Sequence, residues 1–159
     1  MGNKINKLKY ATYDNTPTWS LNNTFTQVKV IKIYDGDTIW IAMYLKGKIY
    51  KLKVRLAGID TPEMKPPKSQ KNRDKEILAA KESKNFLANL IDQKVIWMKC
   101  GEWDKYGRLL ANLYIDDDDI NSINYKLIDE GFAYEYDGGT KKKFDYSKYI
   151  NEDNKEENQ

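Results

Sequence analysis

Between Tyr50 and Leu56 the chain alternates apolar and basic side chains. Tyr50, Leu52, Val54 and Leu56 share one parity, and Lys51, Lys53 and Arg55 share the other. Successive strand residues point to opposite faces, so this run predicts a strand with one face in a core and three cations on its polar face. Neighbouring segments continue the pattern. Val28–Tyr34 changes phase midway, which marks a bulge, residues 37–44 predict a second strand, and Lys46-Gly47 turns the chain into the third. Two more strands are expected at about 94–100 and 108–115.

Helical spacing interrupts the strands twice. Pro62, Pro66 and Pro67 enforce a loop. Beyond it Ala79, Ala80, Ser83, Phe86, Leu87, Leu90 and Ile91 form one apolar stripe of a 3.6-residue repeat. Ile120, Ile123, Asn124, Leu127 and Ile128 predict a short second helix, with Asp119 as N-cap and Gly131 closing it. The expected fold is mainly β with α, a five-stranded OB-type barrel with inserted helices. Residues 1–26 read as an irregular lead-in, 27–139 as the barrel domain, and 140–159 as a charged, frayed tail.

At 159 residues the chain suits one domain that buries roughly 70% of its unfolded surface. No apolar run approaches the ~18 residues of a membrane span, so no membrane partner is expected. The N-terminal residues lack the apolar stretch of a secretory signal, and the single cysteine, Cys100, forms no intrachain disulfide. The expected setting is cytoplasmic or otherwise intracellular, with secretion left open, and the expected state is a monomer.

Histidine is absent. Acid–base and metal chemistry must therefore run on carboxylates, water and guanidinium groups, a kit suited to phosphodiester bonds. With one cysteine and no imidazole, zinc and copper sites are excluded. The net charge is +3. Without the acidic last nine residues, 26 basic groups stand against 20 acidic ones. That balance suits a polyanion partner, although ordinary solubility charge explains it equally well.

Three motifs carry the candidate chemistry: Tyr34-Asp35-Gly36-Asp37-Thr38, Arg55 through Glu63, and Asp104-Lys105-Tyr106-Gly107-Arg108. Each has an ordinary structural explanation when taken singly. Asp35-Gly36 is a stock hairpin turn, Thr61-Pro62-Glu63 a loop tripeptide, and Asp104–Arg108 a charged turn with its glycine at positive φ. The acidic run Asp116–Asp119 lacks the glycine and terminal glutamate of an EF-hand loop and reads as a solvated turn.

In order, wording and separation the three motifs resemble the staphylococcal-nuclease (thermonuclease) family over about residues 27–139. The resemblance implies a Ca²⁺-dependent nuclease acting on DNA, and on RNA as a further substrate, with low sequence specificity. It further implies attack by water, 5′ P–O cleavage and 3′-phosphate products. It assigns Asp37, Asp60 and the backbone carbonyl of Thr61 to Ca²⁺, with Asp35 acting through water. Oxygen-only ligands are what calcium accepts. Glu63 becomes the general base or the group that positions the water. Arg55 and Arg108 become clamps on non-bridging phosphate oxygens, which their planar forks match. Lys105 and Tyr106 fall near a flanking phosphate, and Tyr136, in preference to Tyr134, against a nucleotide. Beyond Tyr136 the wording departs from the family, and Lys143–Ile150 is only a weak counterpart of its C-terminal helix. The alternative expectation is a barrel that binds nucleic acid without cutting it, as degenerate nuclease-like repeats do.

Overall fold

Alternation of buried and exposed residues closes five strands into a barrel in a computed structural model that describes residues 2–146. The strands are β1 (Phe25–Ile33), β2 (Thr38–Leu45), β3 (Lys48–Leu56), β5 (Val95–Trp103) and β6 (Leu109–Tyr114), ordered β1-β2-β3-β6-β5. A two-residue pair, β4 (Ile59–Asp60) with β7 (Tyr134–Glu135), lies outside the barrel. All barrel neighbours are antiparallel except β3 and β6. The parity read from the sequence puts Val54 and Leu56 in the core beside Ile39, Ile41, Met98 and Leu113. The phase change in β1 is a bulge, with the β1–β2 register shifting between Val30 and Lys32.

Helix α2 (Arg73–Ile91) covers one end of the barrel. It buries Ala79, Ala80, Ser83, Leu87 and Ile91 of the predicted stripe, while Phe86 and Leu90 pack on the core's margin. Helix α3 (Ile123–Asp129) is pinned by Asn124, whose amide donates to Ala57 O and Ala111 O and whose Oδ1 accepts Leu113 N–H. Three backbone groups, two of them buried, are thereby paired by one side chain. Cys100 is buried in β5, and burial pushes its thiol up to about 11, as an inert core residue requires.

Several boundaries differ from expectation. The lead-in contains a short helix, α1 (Gly2–Leu8), and β1 starts at Phe25. Leu21, buried, anchors the intervening segment. Helix α3 begins at Ile123 with Ser122 as N-cap, its Oγ accepting Tyr125 N–H. Asp119 instead accepts the N–H groups of Ile115 and Asp116 and closes the preceding turn. Ile120 is therefore outside the helix and almost fully exposed. Of the tail read from the sequence, 147–159 lie outside the described residues, as does the second half of the weak helical counterpart at Lys143–Ile150, whose described residues 143–146 form no helix. Among the described residues no helix is long and apolar enough to cross a membrane.

Candidate functional site

The three motifs converge because the barrel ends at one place. The turn after β1 carries Asp35, Gly36 and Asp37, the end of β3 carries Arg55, and β4 with its following loop carries Asp60, Thr61 and Glu63. The β5–β6 turn carries Asp104, Lys105, Tyr106 and Arg108. All nine residues singled out from the sequence (Asp37, Arg55, Asp60, Thr61, Glu63, Lys105, Tyr106, Arg108 and Tyr136) line one cleft of about 570 Å³.

Gly36 is needed for space. A Cβ there would overlap Ser83 Oγ on α2, so only glycine lets the aspartate turn approach the helix so closely. At Gly107 the requirement is conformational, with φ at +75° in the β5–β6 turn. Asp104 organises that turn by accepting the N–H groups of Tyr106 and Arg108. Its other oxygen takes Arg108 Nε at 2.6 Å. Desolvation would raise the Asp104 carboxyl, yet the hydrogen bonds from Arg108 and Tyr106 hold it below the usual range. The Arg108 guanidinium and the Lys105 ammonium both lie over the exposed Tyr106 ring.

Arg55 leaves the polar face of β3 as its parity requires, but at its position that face is covered. The residue is only 9% exposed, because two carboxylates close over it. Nη1 pairs with Asp37 Oδ2, and Nη2 with Asp60 Oδ1 at 2.9 Å and with Ile59 O. Desolvation opposes the charge, yet Asp37 and Asp60 outweigh it and raise the guanidinium further. Asp37 also accepts hydroxyl hydrogens from Thr38 (2.8 Å) and Thr61 (3.2 Å). Burial and the adjacent Asp37 charge push the Asp35 carboxyl up to about 6.

Sequence reasoning missed several contacts at this site. Lys141 Nζ lies 2.7 Å from Glu63 Oε1 and 3.2 Å from Asp60 Oδ2. Partial burial works against its charge, but these partners outweigh that and raise its pKa. A lysine run in a polar segment carries no signal of such a contact. Tyr134 Oη donates to Asp60 Oδ2 at 2.7 Å, because β4 and β7 pair Asp60 with Tyr134. Tyr136 borders the cleft, and its hydroxyl donates to Gly139 O. Glu76, on α2, is buried and accepts Glu63 N–H at 2.7 Å and the Gln70 amide at 3.0 Å. Its acidity sits in the first helical turn, where any helix favours a carboxylate, so the sequence does not distinguish it. Glu76→Ala should cost about 1–3 kcal/mol by leaving the part-buried Glu63 N–H and Gln70 amide without their acceptor, read by urea unfolding, with Glu76→Gln costing less.

Among the described residues no three acidic, His or Cys side chains converge as a ready metal cluster. The donor set present is two carboxylates, Asp37 and Asp60, held by one guanidinium, with Thr61 alongside and Asp35 crowded against Asp37. Hard oxygens completed by backbone and water fit calcium, which tolerates irregular geometry.

The sequence pattern described as "Staphylococcal nuclease homologue" matches residues 53–158. The chain belongs to that family. Family members are generally metal-dependent. An "Uncharacterized endonuclease" of Haemophilus influenzae is 34% identical over 108 residues, 68% of this chain and 51% of the relative. Endonuclease YncB of Bacillus subtilis is 36% identical over 129 residues, 79% of this chain and 57% of the relative. The SPbeta prophage-derived endonuclease YokF of the same organism is 36% identical over 117 residues, 72% of this chain and 36% of that protein. The chain thus spans between about a third and just over half of the length of these endonucleases. The family's barrel matches the five-stranded closure described above.

Proposed function

We propose that this protein is a Ca²⁺-dependent nuclease that hydrolyses phosphodiester bonds of DNA, and of RNA, with low sequence specificity. The observation that carries the reading is the single cleft in which paired aspartates, an exposed glutamate and two arginines face one space. Its family membership and the endonuclease names of its relatives support the same chemistry.

In this reading Asp37, Asp60 and the carbonyl of Thr61 hold the ion. Bound there, Ca²⁺ supplies Lewis-acid polarisation of a phosphate oxygen. Glu63, exposed at the cleft rim, orients a water for attack on phosphorus and takes its proton. A water oxygen–phosphorus bond forms as the bond from phosphorus to the 5′ oxygen breaks. The departing oxygen takes a proton from solvent water and Glu63 returns its own to solvent, leaving a 5′-hydroxyl and a 3′-phosphate.

Arg108 meets a non-bridging oxygen with the guanidinium edge that Asp104 does not occupy. Arg55 does the same by exchanging one carboxylate partner for a phosphate oxygen, so it serves both to gather Asp37 and Asp60 and to offset charge on the five-coordinate phosphorus. Lys105 and Tyr106 contact a flanking phosphate, and Tyr136 a nucleotide. Incubating the protein with denatured plasmid should give fragments with calcium and none after chelation. Intact DNA in both tubes would sink the reading.

A further inference from the structure

The outward face of β1–β3 has a composition the cleft chemistry does not use. No Asp or Glu occurs in any of these three strands. Ladder pairing puts Lys32, Trp40 and Lys53 side by side across the three strands, with Lys51 one outward step further along β3. Lys53 Nζ lies 4.5 Å from the centre of the Tyr34 ring, and Lys51 Nζ 5.3 Å from that of Trp40. Tyr34 is 53% exposed. Lys51 and Lys53 share their parity with Arg55, which reaches into the cleft.

We propose that this face is an accessory track for an extended single strand of nucleic acid, leading into the cleft. Cations that track a backbone, set among aromatic rings on which bases stack, are what single-strand binding requires. Outward residues on one strand are about 6.6 Å apart, so Lys51 and Lys53 present charges at an interval an extended phosphate chain can follow, and the next residue of that parity, Arg55, lies within the cleft between Asp37 and Asp60. Duplex DNA keeps its base faces stacked internally and cannot use Trp40 or Tyr34 in this way. Continuity with the cleft through Arg55 ties the track to the proposed reaction, on which its biological use rests.

The test uses the full chain carrying Glu63→Gln to prevent cleavage, with fluorescein-labelled oligo(dT) followed by anisotropy over a range of salt. Adding Lys51→Gln and Lys53→Gln should lower affinity about tenfold. It should also reduce the slope of log affinity against log salt by about 1.4, near 0.7 for each lost phosphate contact. Trp40→Thr should weaken binding with the salt slope unchanged, as loss of a stacking platform predicts. In the otherwise wild-type protein, the lysine pair should raise KM for long strands and leave cleavage of a dinucleotide substrate unchanged.

Unaltered affinity and salt slope in the folded lysine variant would overturn the proposal, and an equal loss on duplex DNA would overturn its single-strand assignment. Loss of the salt slope in a protein that cuts neither substrate would uphold the track and overturn the nuclease reading. Normal cutting with no change in binding would do the reverse.

Discussion

Replacing Arg55 by lysine lowers the proposed cleavage rate by about 10²–10³ or more, although the positive charge is kept. A lysine ammonium is one point of charge, whereas Arg55 uses two terminal nitrogens to hold Asp37 and Asp60 at once. Arg55→Ala goes further, leaving two buried carboxylates without their shared cation. Breaking a buried pair of this kind costs about 3–5 kcal/mol, which urea unfolding in chelator will register. The attribution is checked by combination. Arg55→Ala with Asp60→Asn should lose less stability than the two single changes add up to, because the second removes a charge that the first has stranded. Strict additivity would mean the guanidinium does not couple to Asp60 energetically.

Glu63→Gln is expected to separate activity from folding. The side chain is more than half exposed, and the backbone N–H that Glu76 anchors is retained in the variant. Stability should therefore stay within about 0.5 kcal/mol of the parent. The lost ion pair to Lys141 is a solvent-accessible one and contributes little. Cleavage should fall by about 10²–10⁴, in kcat rather than KM, because glutamine keeps the shape but cannot accept the water's proton. An active Glu63→Gln protein would show that the proton leaves by another route. The pair of variants discriminates between roles. Arg55 is expected to affect structure and rate together, and Glu63 rate only.

Much of the barrel was legible because its strands are long enough to display a period. The alternation from Tyr50 to Leu56 appears in the fold as buried Val54 and Leu56, with Leu52 half-buried and Tyr50 exposed, and the phase change in β1 appears as a bulge. Short elements gave no such signal. β4 and β7 are two residues each, too brief for any periodicity, yet they bring Tyr134 onto Asp60. The start of α3 was misplaced because Asp119 and Ser122 are both good caps, and the choice depends on which backbone donors lie within reach. Asn124 reads as one polar interruption in an apolar stripe. Only the approach of Ala57 and Ala111 gives its amide a purpose.

The residue types for the site, their order and the lack of any imidazole were properties of the chain itself, since they depend only on which functional groups are present and how they are spaced. Tertiary structure decided which of those groups face one another. It buried Arg55 between Asp37 and Asp60, set Lys141 against Glu63 from 78 positions away, and seated the loop of Glu63 on Glu76. Those contacts join segments that strand and helix periods do not connect, and they form only when the barrel closes and its rim turns come together at one end.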